Sequence, residues 1–269
     1  MDEGKVLIIA GSDSGGGAGI QADIKAVTMT GGYAMTAITA ITVQNTLGVF
    51  DVHPIPLKTI KDQITCVVDD IGADCFKTGM LGSVEVVETV GETLALYKNI
   101  MRVIDPVMIA KGGHPLLQEK AISAVRSIMI PHSTLLTPNA PEAEKLAECA
   151  VETLDGQRRA AEKILRMGAR AVLVKGGHID GATFTDLLAT EKGETFFEAK
   201  RINSTSTHGT GCTLASAISS YLAQGLELET AIAKAREYVF KAIETAKGFG
   251  KGHGPLNHNW NLEIKNGAN

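Results

Sequence analysis

Along most of the chain, short unbroken apolar runs alternate with longer stretches in which apolar positions recur every three or four residues. The first kind reads as buried parallel strands, the second as amphipathic helices packed over them. "KVLIIA" is the first strand, and a helix from about Gly19 to Thr30 follows it across a glycine-rich loop. "YAMTAITAITV", rich in β-branched residues, is the second strand, and residues 57 to 71 form a helix. "CFKTGML", "MRVIDPVM", "TLLTPN" and "RAVLVKGG" supply four more strands. Helices at 83 to 98, around "EKAISAVRSIMI", and over "APEAEKLAEC" and "DGQRRAAEKILRMG" lie between them. The alternation breaks once, where "GATFTDLLAT" and "ETFFEAKRI" flank "EKG" and predict an antiparallel hairpin at a sheet edge. Two long helices then close the chain, and "GFGKGHGPLNHNW" reads as a loop or tail. The pattern predicts one α/β domain over residues 1–269, a mostly parallel sheet with helices on both faces.

Composition narrows the function. Of 269 residues, 44% are hydrophobic and 21% charged, which supports a sizeable core; only 4% are aromatic and the net charge is −4, which argues against nucleic acid as a partner. No run approaches the length of a membrane span, and the N-terminal apolar run is too short for a signal peptide. Four cysteines at 66, 75, 149 and 212 show no C-x-x-C spacing, so reduced thiols and a cytoplasmic location are expected.

Open parallel sheets bind ligands beyond the carboxyl ends of their strands. There the chain places "GSDSGGGAG", "QNT", "GML", "DPVM", "TPNAPEAE", "KGGH" and "STHGTGC". The last enters a helix through glycines. A helix mouth with unpartnered amides and partial positive charge suits a phosphate, although a tight turn feeding a core helix has the same sequence. Asp105 and Glu142 match a magnesium site of one or two carboxylates, against the plainer roles of a cap and a first-turn acid. Lys175 at a strand end is placed to meet phosphate. His178 and His208 lie near these motifs and read as loop histidines. A dinucleotide site lacks its ribose-binding acid, since Gln44 and Asn45 stand near that position, and no P-loop occurs.

Taken in order, these motifs resemble the hydroxymethylpyrimidine/phosphomethylpyrimidine kinases of thiamine biosynthesis, within the ribokinase-like superfamily, over nearly the whole chain. The resemblance implies a three-layer α/β/α sandwich. It also implies ATP- and Mg²⁺-dependent phosphorylation of 4-amino-5-hydroxymethyl-2-methylpyrimidine and then of its monophosphate. By that resemblance Gln44 binds the aminopyrimidine edge, Ala18, Met80 and Val107 line the ring pocket, and Asp23 lies on the substrate side. Gly209, Thr210, Gly211 and Cys212 form the anion hole, with Asp105 and Glu142 near the metal and Lys175 as a cation. Asn139, Asp186 and Arg236 are candidates for the nucleotide side. Cys212 stands where most ribokinase-like enzymes carry an aspartate base, which favours the pyrimidine kinases over sugar kinases. A helix N-terminus is expected to lower its pKa, so that it deprotonates or positions the substrate hydroxyl. Pyridoxal kinase is the nearest rival, and a non-catalytic binder of the vitamin precursor is the rival from another class. The resemblance further suggests a homodimer, with the hairpin at about 182 to 202 as a lid or subunit contact.

Overall fold

Alternation within single strands builds the layers. The structure, a computed structural model, describes residues 3–110, 113–179 and 181–262. In β1 (Lys5–Asp13), Val6 and Ile8 join Cys75, Val103, Leu135 and Leu173 on one face of the sheet, under α1 (Gly19–Met29), α7 (Thr210–Ala223) and α8 (Leu228–Glu244). Leu7 and Ile9 join Phe76, Ile104, Leu136 and Val172 on the other face. Helices α2 (Leu57–Asp70), α3 (Val84–Ala95), α4 (Glu119–Ala124), α5 (Ala140–Ala147) and α6 (Leu154–Arg166) cover it. Both faces being buried is what demands unbroken apolar strands.

The sheet has nine strands in the order β3-β2-β1-β4-β5-β6-β7-β8-β9. Strands β2 (Tyr33–Asn45), β1, β4 (Cys75–Thr78), β5 (Met101–Ile104), β6 (Leu135–Leu136) and β7 (Ala171–Val174) run parallel. Strands β8 (Thr183–Thr190) and β9 (Gly193–Lys200) form the expected edge hairpin, antiparallel to β7. The opposite edge departs from expectation. Strand β3 (Gly48–Pro54) pairs antiparallel with β2 through a tight turn at Thr46 and Leu47, so the alternation breaks at both ends. "GVFDVHP" carries too few core-facing apolar residues to announce a strand, because both its faces are largely open.

Two further stretches gain detail from the structure. Helix α7 is buried almost all round rather than on one face, since it is wedged between the sheet, α1 and α8; this is why Thr213 to Ser220 are uniformly small or apolar. The segment "GFGKGHGPLNHNW" is a loop, and it is tied to the fold at several points. His253 N–H bonds the Thr46 carbonyl, His208 N–H bonds the Gly254 carbonyl, and Leu256 is buried against α8.

Candidate functional site

The carboxyl ends of the parallel strands, the mouth of α7 and the hairpin β8–β9 surround a single cavity of about 780 Å³. Its floor is backbone. Gly209 caps α7 with φ of 82°, and a Cβ there would lie 1.8 Å from the Gly17 carbonyl oxygen. The glycine-rich loop and the helix mouth thus touch main chain to main chain, which only glycine at 209 allows. Of the four expected amide donors, that of Thr210 turns back to the Thr207 carbonyl at 3.4 Å. Gly209, Gly211 and Cys212 also face the cavity.

Around this mouth stand the charged groups. Lys175 Nζ donates to Asp105 Oδ1 at 3.2 Å, and Thr137 Oγ1 donates to the same oxygen at 3.1 Å. A Cβ on Gly211 would lie 3.3 Å from Lys175 Nζ and 3.8 Å from Asp105 Oδ2, so both reach the helix mouth. Glu142 and Asn139 form a capping box at the start of α5: Asn139 N–H donates to Glu142 Oε2 at 2.8 Å, and Glu142 N–H to Asn139 Oδ1 at 2.9 Å. The Glu142 carboxyl is therefore both a cap and a cavity wall. Burial pushes its pKa up to about 7, against the pull of the Lys175 ammonium. Among the described residues no three His, Cys, Asp or Glu side chains are placed to hold a metal unaided. A magnesium ion that takes its other ligands from phosphate and water needs only one or two carboxylates, and Asp105 with Glu142, both on the cavity wall, matches that requirement in kind. Burial of the Glu142 carboxyl, which outweighs the Lys175 ammonium and the Asn139 and Met108 amides, favours a cation there.

The ring pocket lies beside the mouth, where Ala18, Gln44, Met80 and Val107 all line the cavity. Ser14 Oγ donates to the Gln44 carbonyl at 2.8 Å and accepts from the Gln44 N–H at 2.9 Å, tying the end of β2 to the glycine loop. Cys212 also faces the cavity, but its thiol is not activated: burial pushes it up to about 12, and nearby Lys77 only partly opposes this. The expected lowering by the helix terminus is thus overturned by desolvation.

Asp23 departs from expectation, while Asp186 and Arg236 are seen with partners of their own. Asp23 does not line the cavity; it is fully buried beneath it, where it accepts from Lys77 Nζ at 2.8 Å and Ser216 Oγ at 2.6 Å. Lys77 projects from β4 towards α1 and α7, so this ion pair clamps the two helices from which the anion mouth and glycine loop emerge. Asp186 and Arg236 do reach the cavity wall, but each is engaged by the protein. They pair with each other; Asp186 also accepts from Gly176 N–H at 2.8 Å, and Arg236 lies over Phe184 and Phe197 while donating to the Phe197 carbonyl. They join the hairpin to α8.

Sequence reasoning missed Asp13 and read His208 only as a loop histidine. Asp13 Oδ1 accepts from Gly15 N–H at 2.8 Å, and Oδ2 accepts from Gly17 and Ala18 N–H at 3.0 and 2.8 Å. Burial alone would raise its pKa, but the His208 hydrogen bond and the Ala18 and Gly15 amides outweigh that and hold the carboxyl below its ordinary value. His208 Nε2 lies 2.9 Å from Asp13 Oδ2 and 3.1 Å from the Gln44 amide. An Asp one serine ahead of three glycines is a turn signal that could have found Asp13.

Comparison with known proteins follows this geometry. A family model described as phosphomethylpyrimidine kinase matches residues 13–257. The hydroxymethylpyrimidine/phosphomethylpyrimidine kinase of Bacillus subtilis is 45% identical over 257 residues, covering 94% of each chain. The thiamine biosynthesis bifunctional protein ThiED of Geobacter sulfurreducens is 48% identical over 255 residues; the match covers 95% of this chain and 52% of that protein, so the chain spans about half its length. Among solved structures, an ADP complex of Bacillus subtilis pyridoxal kinase superposes with a TM-score of 0.90 at 36% identity, covering 97% of this chain and 99% of that one.

Proposed function

The chain belongs to the phosphomethylpyrimidine kinase family, and from that premise we propose that it is a single-domain kinase of 4-amino-5-hydroxymethyl-2-methylpyrimidine and its monophosphate. The hydroxymethyl oxygen attacks the γ-phosphorus of ATP, the bond from that phosphorus to the bridging oxygen breaks, and ADP leaves as the hydroxyl proton is lost. In a second turnover an oxygen of the product phosphate attacks in the same way and gives the diphosphate. The observation that carries the reading is one cavity holding both Gln44, an amide donor beside an acceptor, and the glycine mouth of α7. An aminopyrimidine edge presents the complementary pair to such an amide, as adenine does.

Phosphoryl transfer of this kind is mostly positioning and charge neutralisation. The amides of Gly209, Gly211 and Cys212 stabilise the transferring group, and Lys175 adds a fixed cation. Asp105 and Glu142 would hold Mg²⁺, which would offset phosphate charge when bound. Cys212, a thiol rather than a thiolate, positions the attacking hydroxyl. Asn139 lies on the nucleotide side, and Asp186 with Arg236 shapes that wall through the hairpin. Gln44→Ala tests the substrate assignment: KM for the pyrimidine alcohol rises by about tenfold or more, as expected for losing paired hydrogen bonds in a pocket. An unchanged KM would remove Gln44 from the substrate site.

Phe196 on β9 is exposed, and other exposed apolar residues gather at the β2–β3 edge. Ile41, Val43, Leu47 and Phe50 cluster there, with Phe50 65% exposed, along an edge strand with open backbone groups. Such an edge needs a cover. A second copy of this chain, giving a homodimer, supplies it. Among the described residues no helix is long and apolar enough to cross a membrane. Four free thiols fit a reducing cytoplasm.

A further inference from the structure

The structure draws the Gln44 amide nitrogen 3.1 Å from His208 Nε2, and the amide oxygen 3.1 Å from Thr42 Oγ1. The two ends of an amide are nearly isosteric, so hydrogen-bond logic decides which is which. On one side, Asp13 is buried, accepts three backbone amides and is held ionised, so it can only accept from His208. His208 Nε2, 2.9 Å from Asp13 Oδ2, therefore carries a proton. A nitrogen of Gln44 facing it would set donor against donor, whereas an oxygen there shares the Nε2 hydrogen with Asp13 Oδ2. On the other side, the Thr42 hydroxyl has one hydrogen, and the Ser12 carbonyl at 2.9 Å, a pure acceptor, takes it. Thr42 Oγ1 is then left to accept, which calls for the Gln44 nitrogen. Two independent arguments reverse the amide.

We propose that His208, held by Asp13, and Thr42 are positioning residues that lock the Gln44 amide with its oxygen towards the α7 mouth and its nitrogen towards β2. The proposal rests on the aminopyrimidine reading for its consequence. The oxygen, on the side of His208 and its neighbour Gly209, accepts from the exocyclic amino group. The outward N–H donates to the adjacent ring nitrogen. The hydroxymethyl group, which neighbours the amino-bearing carbon on the side away from that nitrogen, then falls towards Gly209–Cys212. A reversed amide would turn the ring over and carry the hydroxyl away from the mouth.

The test reads the amide directly. In ¹⁵N-labelled protein the Gln44 side-chain NH₂ pair is assigned by its loss in Gln44→Glu, and its shifts and solvent exchange are followed in Thr42→Val and His208→Met. Exposed exchange in Thr42→Val with little change in His208→Met supports the proposal; the opposite pattern overturns it. Kinetics give the second readout. His208→Met raises KM for the pyrimidine alcohol about 10–100-fold with kcat within about threefold, the loss expected of a buried hydrogen-bonding group left unpaired. His208→Gln, whose amide restores a donor, recovers most of it. Equal KM losses in the Met and Gln variants overturn the positioning role. If the unmodified protein turns over no pyrimidine alcohol, the functional reading fails, and the NH₂ signals still decide the orientation of the amide.

Discussion

Gly209→Ala places the smallest possible side chain at the junction between the glycine loop and the anion mouth. Two costs follow from the structure. The residue sits at φ of 82°, where an L side chain is strained by about 1–2 kcal/mol. Its Cβ would also meet the Gly17 carbonyl oxygen at 1.8 Å, and contacts under 3.0 Å are essentially never seen, so the two backbones must part by about 1.2 Å. Loss of glycine's freedom in the unfolded chain offsets about 0.4–1 kcal/mol of the strain. Parting the two backbones costs about 1–3 kcal/mol more, so stability falls by about 3 kcal/mol, which for a chain of this size lowers Tm by about 6–12 °C. Turnover falls as well. A displacement near 1 Å of groups that must be aligned for transfer costs on the order of 10²-fold in kcat. Thermal unfolding and ADP release with saturating Mg·ATP measure the two effects separately. Gly48→Ala is the control, since nothing lies within 4 Å of its added Cβ; its turnover stays unchanged and its Tm does not fall. Turnover of Gly209→Ala within threefold of the unmodified enzyme would refute the idea that loop and helix mouth form one rigid phosphate floor.

Other consequences are as direct. The Glu142 carboxyl, raised to about 7, must ionise to hold Mg²⁺, so apparent Mg²⁺ affinity falls about tenfold per pH unit below 7 and levels off above it. The same shift makes the ligand-free fold lose stability as pH rises from about 4.5 towards 7, and Glu142→Gln flattens both curves; an inflection that survives in that variant contradicts the assignment. Cys212→Ala lowers the first transfer, whose acceptor is a hydroxyl, by about 10²-fold or less, and the second, whose acceptor is already an anion, by a smaller factor. Because the thiol is pushed up to about 12, it contributes no inflection to kcat between pH 6 and 9; such an inflection, lost in Cys212→Ser, would restore the base role. Phe50→Glu on the exposed β2–β3 face converts a dimer into a monomer in light scattering, and a native chain already monomeric would remove the proposed interface.

The parallel strands and their order of motifs were legible because burial on both faces forces long apolar runs. The same logic explains what was not. Strand β3 lies open on an edge, so it leaves no apolar signature. Gln44, Lys175 and the glycine mouth could be found because they sit at strand ends, where chemistry-bearing residues interrupt apolar runs. Asp23 misled because a carboxylate on a helix after a glycine loop looks the same whether it meets substrate or a buried lysine. Its partner Lys77 is 54 positions away. Asp13 and His208 are separated by 195 positions, and only the return of the chain through α7 brings them together. Local pattern cannot report such pairs; topology does.

The central claim is that one cavity selects an aminopyrimidine alcohol and carries out two transfers. ADP release with Mg·ATP should be compared for the hydroxymethylpyrimidine, its monophosphate and pyridoxal in parallel. Turnover of both pyrimidines well above pyridoxal is the predicted result. Turnover of pyridoxal alone would leave the fold and phosphate floor intact and contradict the assignment of Gln44 to an aminopyrimidine edge.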